Sequence, residues 1–152
     1  MSLEKAAEQD GRTVWLATLT RPGEAAAWRE TVGPRAGILA CLDGWSASEI
    51  AEFCAAAAAL APCEVAFFGP VAEAARRAMS AAAPKTPVSA REDEPLDESV
   101  WYMFFSSDEP DPVTRRPPPL IVALRQGDAR VAEFRALAAR FSAAMNEVLE
   151  RE

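Results

Sequence analysis

The densest chemistry in this sequence is a run of carboxylates. Between Arg91 and Asp111 lie Glu92, Asp93, Glu94, Asp97, Glu98, Asp108, Glu109 and Asp111, against a single base. The 152-residue chain carries 23 acids and 16 bases, a formal charge of −7, and that one stretch accounts for all of it. The acids and bases elsewhere cancel. Carboxylates at this density can hold a divalent cation, work as acid–base pairs or meet a basic partner. A cation cluster of Asp43 with Glu92, Asp93 and Glu94 requires the ends of two different predicted strands to meet. Without that meeting the segment is a solvated acidic turn.

What is missing narrows the chemistry further. The chain has no histidine. That removes the commonest general base near neutral pH, the commonest metal ligand and the usual pH switch. Ser-His-Asp and Cys-His catalysis cannot be assembled within one chain. Cys41, Cys54 and Cys63 include no C-x-x-C pair, so neither a zinc knuckle nor a redox couple is indicated. They read as small buried apolar residues of a reducing, cytoplasmic setting. Gly44-Trp45-Ser46-Ala47-Ser48 resembles a nucleophile elbow whose last glycine is replaced, but Ser46 already has a role as a helix cap. The residues after the first predicted strand are Thr20-Arg21-Pro22-Gly23, so no dinucleotide fingerprint exists there, and no phosphate-binding loop exists elsewhere. No cofactor and no metal are therefore expected. The acidic balance argues against nucleic acid. The polar start MSLEKAAEQDGR and the short Ala55–Ala61 run argue against a signal peptide or a membrane span.

The elements that must position these residues alternate in type. Strand patterns fall at 13–19 (TVWLATL), 36–42 (AGILACL), 64–68 (EVAFF), 86–90 and 120–124 (LIVAL). Residues 1–12 read as a polar tail before a single domain over 13–152. The clearest helix starts at Ser46, with Glu49 closing a capping box and Trp45 placed to staple onto Ile50. A second helix carries Val71, Ala74, Ala75, Ala78 and Met79 on one face. Residues 95–106 have high strand propensity, yet Leu96, Val100, Trp101, Phe104 and Phe105 share one helical face, and the helix is favoured. Asp128 opens a long final helix bearing Phe134, Leu137, Phe141, Met145 and Val148. The Arg115-Arg116-Pro117-Pro118-Pro119 stretch reads as a connection rather than a docking motif. Alternating β and α units predict a three-layer α/β sandwich. Its sheet is mainly parallel and five-stranded, flavodoxin-like or Rossmann-like, with order 2-1-3-4-5.

The segment Ser89 to Asp111, SAREDEPLDESVWYMFFSSDEPD, together with Ala66-Phe67-Phe68-Gly69-Pro70, resembles the signature of an uncharacterised family of small bacterial α/β proteins. In that pattern an acidic turn precedes P-L-D-E, an aromatic helix and an acidic Pro-Asp loop. The family often has a histidine or similar polar residue near the position of Arg91. The resemblance supports the helical reading of 95–106 and implies no assigned activity.

These observations lead to an expected non-catalytic acidic module that docks a protein partner of basic character, as immunity proteins and antitoxins do. The expected docking residues are Asp43, Trp45, Glu92, Asp93, Glu94, Asp97 and Glu98. The chain itself is expected to be a monomer or a weak homodimer. The alternative is a small-molecule or divalent-metal-dependent enzyme at the carboxyl edge of the sheet, around Arg21, Asp43 and Glu92.

Overall fold

A computed structural model describes residues 2–151. Its sheet comprises β1 (Ser2–Gln9), β2 (Arg12–Leu19), β3 (Gly37–Ala40), β4 (Glu64–Phe68), β5 (Val88–Arg91) and β6 (Leu120–Arg125). The order is β1-β2-β6-β3-β4-β5, with β1 antiparallel to β2 and the other neighbours parallel. One face is covered by a 3₁₀ turn (Pro22–Ala27), α1 (Trp28–Val32), α2 (Ala47–Ala58) and α3 (Ala72–Ala82). The other is covered by α4 (Leu96–Ser106), α5 (Arg130–Ala139) and α6 (Phe141–Arg151). The fold is therefore a three-layer α/β arrangement.

Strand alternation divides the apolar residues between two cores. Ile38, Ala40, Val65 and Phe67 enter the core with Trp28 and Phe53. Leu39, Cys41, Ala66 and Phe68 enter the core with Val100, Phe104 and Phe141. Ring pairs lock each layer: Trp28 with Phe53 at 6.1 Å, Phe53 with Phe67 at 6.3 Å and Phe104 with Phe141 at 5.2 Å, all edge to face. The predicted cap on α2 is present. Ser46 Oγ accepts from Glu49 N at 3.2 Å, and Glu49 Oε1 accepts from Ser46 N at 3.0 Å. No helix among the described residues is long and apolar enough to cross a membrane.

Four expectations need correction. The polar tail is strand β1, turned into β2 through Asp10 and Gly11 at φ 54° and 78°, the conformation of a two-residue hairpin. The sheet has six strands rather than five for that reason. β6 lies between β2 and β3, so the parallel strands do not follow the flavodoxin-type order. Burial explains the insertion: β6 is buried from Leu120 to Leu124 and suits the sheet centre, whereas every residue of β5 is half-exposed and suits an edge. Finally, the last helix is two. Arg140 leaves helical geometry at φ −132°, and the break lets α5 pack on β1 and α4 while α6 packs on α4.

Candidate functional site

All five parallel strands point their carboxyl ends to one edge. Connections after β2, β3 and β4 pass to the first face, and those after β5 and β6 to the second. Neighbouring strands whose loops part in this way open crevices, where open α/β sheets place ligands. Three such boundaries occur here, between the ends of β2 and β6, of β6 and β3, and of β4 and β5; Arg130 lines the crevices at the last two.

The crevice between β4 and β5 is an acidic mouth of about 380 Å³. Its floor is Phe68, Gly69 and Leu96, and its walls carry Glu92, Asp93, Glu94 and Glu133. The carboxylates are not equivalent. Glu94 pairs with Arg91 at 2.5 Å, and the Arg91 guanidinium lies 3.7 Å from the centre of the Tyr102 ring. The ion pair closes the turn after β5 and leaves little free charge on Glu94, while the Arg91–Tyr102 contact ties β5 to α4. Asp97 and Glu98 are held by Arg151 at 2.6 and 3.8 Å, at the far end of the chain. Glu92, Asp93 and Glu133 are exposed and have neither an ion pair nor a side-chain hydrogen bond.

The second crevice, between β6 and β3, encloses about 460 Å³ and carries Asp43, Arg125, Asp128 and Arg130 around Gly44 and Gly127. Arg125 Nη1 donates to the Asp43 carbonyl at 3.2 Å, and the guanidinium lies 5.5 Å from the Trp45 ring centre. Asp128 caps the start of α5 by accepting from Arg130 N at 2.8 Å and also pairs with the Arg130 guanidinium at 3.1 Å. Burial lowers the Arg130 pKa, but neighbouring Cys41, Asp128 and Asp43 outweigh it, and the net shift is upward. Beneath them Cys41 is buried, and its thiol pKa is raised, chiefly by desolvation. That thiol is not a nucleophile at neutral pH.

The predicted docking set is thus divided. Glu92 and Asp93 stand free at the acidic mouth. Glu94, Asp97 and Glu98 are engaged within the chain. Asp43 belongs to the second crevice, separated from the acidic mouth by β4. Trp45 is only 6 % exposed and is a core residue packed on Phe53, not a docking residue. Asp108, Glu109 and Asp111 lie beyond the far end of α4, so the acidic stretch is two patches at opposite edges of the sheet. Among the described residues no group of three or more Cys, Asp or Glu is arranged to hold a metal ion. The sequence reading missed Glu133 and Arg130. Both sit on the first turns of the helix that follows β6, one turn apart, which is where a carboxyl-edge site draws side chains.

The far edge holds the mouth in place. Arg12 is 1 % exposed and donates to Pro118 O at 2.6 Å, Phe104 O at 2.7 Å and Ser107 Oγ at 2.7 Å. It satisfies the last carbonyls of α4 without a carboxylate partner. Burial pulls its pKa down to about 10, which still leaves it charged at neutral pH. With α4 fixed at this end, its first turn is fixed beside Glu92 and Asp93. No protein-family model matches this chain, and no curated protein matches it.

Proposed function

We propose that the chain is a non-catalytic recognition module whose acidic mouth receives a cationic side chain of a basic protein partner. One observation carries this reading. Glu92, Asp93 and Glu133 are exposed carboxylates without internal partners, around the apolar residues Phe68 and Leu96, against which the stem of a lysine or arginine can lie. Of the neighbouring carboxylates, Glu94, Asp97 and Glu98 are engaged by the chain's own arginines, so the free charge at the mouth is that of these three side chains, Glu92, Asp93 and Glu133. Complementary charge of this kind steers encounter and selects partners. The absence of histidine adds support, because proton transfer near neutral pH would lack its usual carrier. Asp43 and Trp45 have no part in the proposed surface.

A short arginine-rich peptide titrated into isotopically labelled protein tests the reading. Amide resonances of Gly69, Glu92, Asp93 and Glu133 should move first and saturate. Uniform, unsaturable movement across the acidic surface, or movement centred on Asp108 to Asp111, would remove it.

A further inference from the structure

We propose that the crevice between the ends of β3 and β6 is an oxyanion-binding subsite, suited to the carboxylate or phosphate group of a small ligand. Two guanidinium groups from different positions, Arg125 at a strand end and Arg130 on α5, line the same cavity of about 460 Å³. Each is oriented before any ligand arrives. Arg125 lies near the Trp45 ring and is anchored by one Nη to the Asp43 carbonyl. Arg130 lies 5.9 Å from the Phe68 ring centre and is anchored by one Nη to Asp128. An arginine has five N–H donors in a rigid fork, and these anchors use only one nitrogen of each. The remaining donors are half-buried beside an open cavity, the setting in which paired guanidinium groups bind carboxylate or phosphate.

The backbone at Gly44 leaves room for the Arg125 guanidinium, and that at Gly127 adds no side chain to the rim. Gly44 and Gly127 both border the cavity in the left-handed region, at φ 86° and 87°. A side chain at Gly44 would collide with Arg125 Nη1. The start of α5 is not the anchor, because Asp128 already caps it. Asp43 is the one carboxylate on the cavity without an ion-pair partner, so a ligand that also bears an ammonium group fits better than a bare dianion.

The test is a titration with inorganic phosphate and, separately, with acetate, against sodium chloride at matched ionic strength. Amide shifts of Gly44 and Gly127 and the side-chain Nε–H signals of Arg125 and Arg130 are followed. The proposal expects saturable shifts at these positions with at least one oxyanion, and the stronger of the two responses names the group. R125Q and R130Q should each weaken binding about tenfold or more. R130K, which keeps charge but loses the fork, should recover only part. Circular dichroism of each variant establishes that it is folded. E92Q/D93N, which removes negative charge from the mouth that Arg130 also borders, should not weaken anion binding, and that separates this site from the acidic mouth. No saturable shift, shifts centred elsewhere, or binding undiminished in both R125Q and R130Q would overturn it.

Discussion

At the residue scale, buried Arg12 is the most consequential side chain outside the two crevices. Replacing it with alanine leaves the carbonyls of Phe104 and Pro118 and the hydroxyl of Ser107 without their donor in the interior. The R12A variant should lose about 3–5 kcal/mol of stability in urea unfolding. R12K should regain less than half of that, because one ammonium cannot span the same acceptors. A loss below about 1 kcal/mol would mean that water replaces the guanidinium. The cysteines make a second prediction. Burial pushes the Cys54 thiol up to about 12, from an ordinary value of 9.0. The unfolded chain therefore releases this proton first, and stability should fall as pH rises from 9 towards 12. C54A should show a shallower decline across that window, measured by urea midpoints. An unchanged slope would place the alkaline transition on other groups. The burial of Cys54 was legible in the sequence, and the role of Arg12 was not. Arg12 sits in an exposed-looking turn dipeptide, and only the tertiary paths of α4 and of the segment before β6 bring its acceptors to it.

At the scale of elements, local signals were readable wherever they were self-contained. The capping box at Ser46, the apolar run of β3 and the helical spacing of residues 96–105 each specify an element without help from distant residues, although the buried face of that helix includes Ser99 and Met103 and leaves Phe105 44 % exposed. The hairpin at the start of the chain was equally self-contained. Asp10-Gly11 is a strong short-range hairpin signal, hidden here by charged flanking residues that make β1 read as a tail. Gly11 adopts φ 78° with open space around its missing side chain, so G11A should cost about 1 kcal/mol from backbone conformation alone. Thermal or urea unfolding checks this, and an unchanged midpoint would show that the turn relaxes without cost. The charges of β1 have their own use. Glu4, Lys5 and Glu8, with a register irregularity between Lys5 and Ala7, blunt an edge strand against further pairing. The split between α5 and α6 had no such signal. No glycine or proline marks Arg140, and the break follows from which neighbours each half must cover.

At the scale of the whole molecule, the formal charge of −7 resolves into geometry. One sequence stretch supplies it, but α4 carries the two ends of that stretch to opposite edges of the sheet. Internal arginines then neutralise part of each end. What remains free at the acidic mouth is Glu92, Asp93 and Glu133, and their position, not net charge, makes them the proposed recognition surface. The direct measurement compares two triple variants of equal net charge by peptide anisotropy at several salt concentrations. One is E92Q/D93N/E133Q, and the other is E30Q/E52Q/E150Q, which neutralises exposed acids elsewhere. Affinity for a short arginine-rich peptide should fall about tenfold or more in the first and stay within about twofold of native in the second. Equal losses in both would show that the mouth is only part of a diffuse acidic field, and would contradict the claim.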